Sequence, residues 1–150
     1  MAVIIDIAAA FALILGLVSV VLRRRCSVIT VRGESMMPTY ADGERLVVRK
    51  TMTFRTGDVV VFAMPADRQV DGMKWLIKRV TAVAGESVPS DVRHLVADEY
   101  VPPGYLVVHG DGDRSLDSRQ LGYIATADGV GIVSRRIGSP RGLSRAAEGS

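Results

Sequence analysis

Two hydrophobic patterns follow one another along the chain, and they predict different structures. Residues 2–22 form a nearly continuous apolar run that is interrupted by Asp6. A helix needs about 20 residues, each rising about 1.5 Å, to cross the hydrocarbon layer of a bilayer. The pattern therefore predicts a transmembrane anchor over residues 2–22 and a basic juxtamembrane linker over residues 23–27.

After this linker, apolar residues occur in short runs rich in valine and isoleucine, separated by turns that contain glycine, proline and aspartate. No window after residue 26 keeps a 3.6-residue period over three turns, whereas runs of this length and spacing are typical of strands. We therefore expect a mainly β domain over residues 28–137, a compact antiparallel sheet with a barrel-like form, and a disordered tail over residues 138–150. The predicted strands cover residues 27–31, 45–50, 58–63, 74–84, 105–109 and 131–137.

The apolar run has the features of an uncleaved anchor rather than of a cleavable signal peptide. A signal peptide has a basic start, a shorter apolar stretch and a small-x-small exit. Here no lysine or arginine precedes the run, and the run ends at Arg23, Arg24 and Arg25. Positive charge at this flank, taken alone, would keep the domain that follows in the cytoplasm.

Composition excludes several classes of function. Cys26 is the only cysteine among the 150 residues, so an intramolecular disulfide and a C-x-x-C metal site are both impossible. The two histidines, His94 and His109, have no partner at metal-ligand spacing, and we expect neither a metal nor a cofactor. The formal net charge is +3, but the arginines are mostly dispersed and are not interleaved with aromatic residues. We therefore expect no binding to nucleic acid.

Strand phase distinguishes Lys78 from the other lysines. In the predicted strand over residues 74–84, alternate residues share a face, and Lys78 is the one charge on a face otherwise formed by leucine, valine and alanine. Such a lysine either extends its amine to the edge of the sheet or stays buried, in which case desolvation lowers its pKa. A buried lysine that is neutral near physiological pH is able to act as a general base. Phase alone leaves both alternatives open.

Ser35, in the stretch GESMMPTY (33–40), is a candidate nucleophile. A serine hydroxyl reacts poorly until a base takes its proton, and a lysine performs this role without any histidine in some proteases. Gly33 allows close approach of a substrate backbone, Pro38 stiffens the segment, and the Ser35 amide is a candidate oxyanion donor. The alternative is an ordinary surface serine in a turn.

The polar stretch GDGDRSLDSRQLGY (110–123) contains the remaining candidates. Its simplest interpretation is a turn rich in glycine and aspartate that leads into a strand. Its functional interpretation is a rigid loop beside the site. Asp117 and Arg119 would then form a bidentate ion pair, and Ser115 would orient the Lys78 amine.

Together these stretches resemble the type I signal peptidases, which are membrane-anchored serine proteases with a lysine base. SMMPT (35–39) resembles the S-M-x-P-T box of that family, and GDVVVF (57–62) resembles the strand box that follows. LIKRVTAVAGES (76–87) resembles the lysine box. VPPGYLVVHGDGDRSLDSRQLGY (101–123) resembles the last box, V-P-x-G-x-x-F-V-x-G-D-N-x-x-x-S-x-D-S-R-x-x-G. Four boxes in the order of the family, behind an apolar segment, are a specific combination.

The resemblance implies a membrane-bound serine endopeptidase that removes signal or leader peptides from translocated precursor proteins, cutting after small residues of A-x-A type. Ser35 would be the nucleophile and Lys78 the general base, with Ser115, Asp117 and Arg119 in support. The implied partners are these precursors and the lipid bilayer. The substrate would lie extended beside the residues implied for oxyanion and substrate binding: Gly33, Glu34, Trp75, Leu76 and Ile77.

Two departures from the family pattern fall in the site. Gly112 stands where an asparagine usually follows Gly-Asp, and the GDGDRS loop is one residue shorter than the commonest form. Gly33 occupies a position where some members carry an oxyanion-donating serine. The segment between the last two boxes is also short. The chain therefore resembles a minimal member, and a maturation protease dedicated to one precursor is an alternative to a general signal peptidase.

Two further classes of protein compete with this interpretation. A self-cleaving repressor also uses serine and lysine on a β-scaffold, but it would carry a helix-turn-helix instead of the apolar run. An inactive, membrane-tethered β-module would lack one of the two reactive residues, whereas Ser35 and Lys78 are both present. Secretory processing would place the catalytic domain on the outer face of the cell membrane, against the expectation from the flanking arginines.

Overall fold

The computed structural model describes residues 2–64, 69 and 74–138, with the side chains of residues 2–10 and 22–24 left out. Two α-helices and seven strands make up this part of the chain. The helices are α1 (Ala2–Arg25) and α2 (Ser118–Leu121), and a 3-10 turn covers Thr126–Asp128. The strands are β1 (Cys26–Thr30), β2 (Arg45–Arg49), β3 (Val59–Ala63), β4 (Trp75–Val83), β5 (Tyr105–His109), β6 (Ile124–Ala125) and β7 (Gly129–Gly138).

All seven strands belong to one antiparallel sheet with the order β1-β2-β7-β3-β4-β5-β6. The predicted antiparallel β-fold is confirmed. The barrel-like closure is wrong, because β1 and β6 are the two edges of the sheet and do not pair with each other. The edge strand β6 is only two residues long and pairs with β5 through Tyr105–Ala125 and Leu106–Ile124. A strand this short offers few backbone groups to which a further strand could bond.

The last strand, β7, lies in the middle of the sheet and joins its two parts. It pairs with β2 from Ile132 to Gly138 and with β3 from Gly129 to Ile132. Gly131 is required at this junction, since a Cβ atom there would lie 2.2 Å from the carbonyl oxygen of Arg49. Through β7, the hairpin of β1 and β2 is held against the strands that follow in sequence.

Two apolar clusters pack on the sheet. In β4, residues alternate between buried and partly exposed, so Leu76 and Val80 face one cluster while Trp75 is 58% exposed. This alternation is the one predicted from strand phase. The larger cluster contains Phe54, Val60, Phe62, Met64, Leu76, Val80, Leu106, Val108 and Ile124. The smaller one contains Ala82, Val88, Val92, Val101 and Val107.

The N-terminal segment is a single helix, α1, that runs from Ala2 to Arg25. Residues 23–25 continue this helix, and β1 begins directly at Cys26, where the sequence predicted a linker. In the part of the chain that the structure describes, none of the helices has both the length and the apolarity that a membrane crossing requires. The predicted membrane span is therefore not confirmed. The predicted tail beyond residue 138 lies outside the described residues.

Candidate active site

Ser35 lies on a compact loop between β1 and β2, residues 31–44, which we call the Ser35 loop. Its two ends meet, because the Val31 amide donates to the Glu44 carbonyl (2.8 Å) and the Gly43 amide donates to the Val31 carbonyl (2.9 Å). Gly33 adopts a φ of 82°, a conformation that favours glycine, and its amide donates to Asp42 Oδ1 at 2.7 Å. The loop therefore presents Ser35 on a closed and internally bonded turn.

Lys78 of β4 is buried, with 1% of its surface exposed. Its Nζ donates a hydrogen bond of 2.6 Å to Ser35 Oγ. Of the two alternatives that strand phase left open, the structure has the buried lysine rather than one extended to the sheet edge. The two residues that the sequence proposed as nucleophile and base, 43 positions apart, thus lie in direct contact.

The environment of Lys78 lowers its pKa to about 8. Burial is the main cause, because removal from water penalises the charged ammonium. The positive charge of Arg119 lowers the pKa further, while the carboxylates of Asp117 and Asp111 act in the opposite direction. A sizeable fraction of the amine is therefore neutral slightly above physiological pH, and a neutral amine is able to accept the proton of a hydroxyl.

Asp117 organises the loop that follows β5. Arg119 donates to both of its oxygens, with Nε to Oδ1 at 2.9 Å and Nη2 to Oδ2 at 2.8 Å, so the predicted bidentate pair is present. The Gly110 amide donates to the same carboxylate at 2.8 Å. Asp117 also caps α2, where its own amide donates to Gln120 Oε1 at 3.0 Å. Burial alone would raise the pKa of Asp117, but these hydrogen bonds lower it far below its usual range.

Ser115 is close to Ser35, and within the described residues no hydrogen bond joins its hydroxyl to Lys78. Its buried Oγ has no hydrogen-bond partner within the described residues, although it is near enough to Asp117 to help lower the pKa of that carboxyl. A Cβ atom at Gly110 would lie 2.1 Å from Ser115 Oγ and 2.6 Å from the Ser35 carbonyl oxygen. Glycine at position 110 is therefore what allows the two serines to approach each other.

A second ion pair, between Arg79 and Asp111, supports the site and was missed by sequence reasoning. Arg79 donates from Nε to Asp111 Oδ1 (2.9 Å) and from Nη2 to Oδ2 (2.6 Å), and the Thr39 hydroxyl donates to the same Oδ2 (2.5 Å). In addition, the Gly112 amide donates to the Ser35 carbonyl (3.0 Å). The signal was the position of Arg79 directly after Lys78 and of Asp111 directly after Gly110, both inside the family boxes.

A groove with a volume of about 780 Å³ passes over Ser35 and Lys78. One wall is formed by residues 27–36, which include Gly33 and Glu34, and the opposite wall by residues 74–78. Trp75, Leu76 and Ile77 all line this second wall, so the structure brings every predicted oxyanion and substrate residue to one groove. In β4, pairing with β5 begins only at Arg79, which leaves one backbone edge of Trp75–Lys78 outside the β4–β5 ladder.

The histidines take no part in this arrangement. Nε2 of His109 lies 3.6 Å from Asp91 Oδ2, and among the described residues no hydrogen bond joins either histidine to Ser35. Among the described residues, no three His, Cys, Asp or Glu side chains are grouped as metal ligands. The hydrogen bond between Lys78 and Ser35 in the groove joins an amine and a hydroxyl.

Comparison with known proteins agrees with the geometry. Residues 4–99 match the family described as signal peptidase, peptidase S26, which is more than half of the chain. The Probable signal peptidase I-1 of Synechocystis sp. (strain ATCC 27184 / PCC 6803 / Kazusa) is 31% identical over 125 residues, an alignment that covers 65% of this chain and 64% of that protein. The chain therefore belongs to the peptidase S26 signal peptidase family, as the four boxes predicted.

Proposed function

We propose that the chain is a membrane-bound serine endopeptidase that removes signal or leader peptides from translocated precursor proteins. The observation that carries this proposal is the 2.6 Å hydrogen bond between the buried Lys78 amine and the Ser35 hydroxyl, at the base of a long groove. Membership of the S26 family supports the precursor proteins as the substrate class. The relative named above is a probable signal peptidase, and the matched region spans 64% of its length.

In the proposed mechanism, the neutral Lys78 amine accepts the proton of Ser35 as Oγ bonds to the scissile carbonyl carbon. The carbonyl oxygen takes the electron pair, and the Ser35 amide would donate a hydrogen bond to it. The protonated Lys78 then gives its proton to the leaving amine as the peptide bond breaks, which leaves an acyl-enzyme. Water activated by the same amine attacks the ester, releases the new carboxyl terminus and restores Ser35.

The groups around the dyad set its protonation and geometry. Arg119, held by Asp117, lies close enough to lower the pKa of Lys78. Ser115 has a buried hydroxyl with no hydrogen-bond partner in the described structure, and we assign it the role of orienting the neutral amine. Removal of any of these supports is expected to slow the reaction rather than abolish it, since none exchanges the reacting proton.

The groove accommodates an extended peptide between its two walls. Gly33 and Glu34 would run along one side of the substrate and residues 75–77 along the other, with main-chain hydrogen bonds to the free edge of β4. Leu76 is buried and Ile77 is partly buried, and we expect the pockets that they form beside the cut to be shallow and apolar. Small side chains at the first and third positions before the cut, as in A-x-A, fit such pockets.

The anchor and its orientation are part of the proposal. The apolar run over residues 2–22 would hold the domain at the membrane, and the domain would lie on the outer face, where translocated precursors emerge. The arginines at positions 23–25 would then lie among lipid headgroups and pair with phosphate. This orientation brings the cut site of a precursor, just beyond its own apolar segment, close to Ser35.

The direct test is incubation of detergent-solubilised protein with a panel of precursor peptides, followed by mass spectrometry of the products. We expect cuts after A-x-A-like sequences with the unmodified chain and none with Ser35→Ala. Cleavage of a single member of the panel would favour a dedicated maturation protease. Absence of cleavage in all of them, or equal cleavage by Ser35→Ala, would overturn the proposed function.

A further inference from the structure

Arg136, near the end of β7, contacts the Ser35 loop through three different interactions. Its Nη2 donates to the Thr39 carbonyl at 2.5 Å, and its Nη1 lies 3.0 Å from Glu44 Oε1. Its guanidinium also lies over the ring of Tyr40, 5.3 Å from the centroid, which is a cation–π distance. One side chain from the last strand therefore touches the segment immediately after the nucleophile and the end of the loop.

The partners of Arg136 are themselves fixed. Glu44 is only 4% exposed, and its other oxygen accepts from the Ala41 amide at 3.2 Å. The Thr39 hydroxyl donates to Asp111, the carboxylate that Arg79 binds beside Lys78. Thr39 is thus held by its carbonyl from β7 and by its hydroxyl from the loop after β5. The Ser35 loop is clamped from two sides of the molecule.

The loop needs such a clamp because little of it is in the core. Among its side chains, only those of Val31, Met36 and Glu44 are buried. A nucleophile that must stay within hydrogen-bond distance of its base tolerates displacement poorly, and a shift of about 1 Å is enough to cost roughly 100-fold in rate. Met36, the residue after Ser35, is buried in the core, whereas none of residues 37–43 is buried.

We propose that Arg136 is a positioning residue for Ser35: it holds the Ser35 loop in the geometry in which the hydroxyl meets Lys78. The inference rests on the proposed role of Ser35 as nucleophile. It goes beyond the family boxes, because Arg136 lies outside all four of them and beyond residue 99, where the family match ends. If Arg136 has this role, β7 contributes to the proposed catalysis by holding the Ser35 loop in position.

The first experiment compares Arg136→Gln with Arg135→Gln in the full chain. Arg135 is an exposed neighbour on the same strand, and within the described residues no hydrogen bond or ion pair joins its side chain to the Ser35 loop. We expect Arg136→Gln to lower kcat by about tenfold with little change in KM, because the partners of Arg136 lie at positions 39, 40 and 44, which do not line the groove. Arg136→Lys should retain part of the rate, since an ammonium still pairs with Glu44 but lacks the planar fork that also reaches Thr39.

A second variant separates positioning from simple destabilisation. Arg136→Gln leaves the buried Glu44 carboxylate without its cation, which by itself lowers stability. In the double variant Arg136→Gln with Glu44→Gln, the unpaired charge is gone. We expect the melting temperature to recover toward that of Arg135→Gln while kcat remains low, because the contact to the Thr39 carbonyl is still missing. Recovery of kcat together with stability would show a merely structural role and overturn the inference.

The third measurement does not depend on activity. Hydrogen exchange followed by mass spectrometry should show faster exchange of peptides that cover residues 36–44 in Arg136→Gln, and unchanged exchange in Arg135→Gln. If the unmodified chain cleaves no peptide but this difference is seen, the proposed function fails and the clamp stands. If the chain cleaves peptides and Arg136→Gln matches Arg135→Gln in both kcat and exchange, the inference fails and the function stands.

Discussion

At the scale of single residues, the proposed chemistry depends on one lysine that the fold keeps out of water. Lys78 sits in β4 between Leu76 and Val80, which belong to the larger apolar cluster. Desolvation lowers its pKa, and the two nearby carboxylates only partly oppose this effect. The same amine would remain protonated on an exposed strand face and would then be unable to activate Ser35.

Substitution of Lys78 tests this dependence. We expect both Lys78→Ala and Lys78→Arg to lose peptide cleavage, because a guanidinium stays protonated at any working pH. Lys50→Ala, at an exposed position that does not line the groove, is the matched control and should keep most of the rate. The measurement is kcat/KM on one precursor peptide. Substantial turnover by Lys78→Arg would exclude the lysine as general base.

The pH dependence of the rate follows from the lowered pKa of Lys78. The base is active when it has lost its proton, so kcat/KM should rise as pH increases and level off above about 8. The same shift has a stability consequence: the unfolded chain keeps this proton up to about 10.4, so unfolding becomes less favourable as pH rises from about 8 toward that value. A rate that increases only near pH 10 would contradict a buried base.

At the scale of elements, the loop between β5 and β6 is organised by Asp117. Its carboxylate accepts from Arg119 and Gly110 and caps α2. Because the folded state lowers its pKa, the stabilisation is present above the pKa of about 3.9 in the unfolded chain and is lost as pH falls below that value.

Asp117→Asn is therefore expected to reduce stability and rate without eliminating cleavage. At neutral pH the amide cannot accept two hydrogen bonds from Arg119, and we expect a loss of about 1–3 kcal/mol in the free energy of unfolding. Asp113→Asn, at an exposed position in the same loop, should stay within about 0.5 kcal/mol of the unmodified chain. Urea unfolding and kcat would be measured for both. Equal stability of the two variants would show that the ion pair contributes little to the free energy of unfolding.

The structure gives a reason for glycine at position 112, where the family usually has asparagine. Its amide donates to the Ser35 carbonyl, and a Cβ atom there would lie 2.7 Å from the Glu34 carbonyl oxygen. Gly112→Asn, which introduces the residue usual in the family, should therefore displace the Ser35 loop and lower kcat by roughly tenfold or more. Asp113→Asn introduces the same side chain next to it and serves as the control. A Gly112→Asn chain with full activity would show that the loop adjusts without cost.

At the scale of the whole molecule, one open sheet brings distant segments to the same groove. The wall at residues 27–36 consists of β1, at one edge of the sheet, and the start of the Ser35 loop. The wall at residues 74–78 belongs mainly to β4, and three strands lie between β1 and β4 in the sheet. β7 connects these parts by pairing with both β2 and β3. The two walls of the groove therefore depend on β7 for their relative position.

The orientation of the domain is tested by protease accessibility in intact spheroplasts. We expect the domain to be digested from outside, since translocated precursors are reached only there. The flanking arginines alone predict the opposite, so the experiment decides between the two expectations. A cytoplasmic protein of the same cells serves as the control for intact membranes. A domain that is protected until lysis would overturn the secretory role.

The sequence by itself determined what depends on local order. Six of the seven strands were predicted to within two residues at each end, because turn residues and period-two alternation are local properties. The same alternation placed Lys78 on the apolar face of β4. The sequence stretches that resemble the family boxes contain Ser35, the candidate nucleophile, and Asp117 and Arg119, the candidate supporting ion pair. The short β6 and α2 were missed, since two or four residues carry no periodicity.

Only the tertiary structure decided which of these residues meet. Alternation assigns a side chain to a face but does not determine a distance, so burial of Lys78 against Ser35 follows from β4 lying inside the sheet and the Ser35 loop folding over it. The open edges replaced the expected barrel-like closure for the same reason, because strand order is set by long-range packing. The contacts of Arg79 with Asp111 and of Arg136 with Thr39 join positions 32 and 97 residues apart, and no local pattern in the chain specifies such pairs.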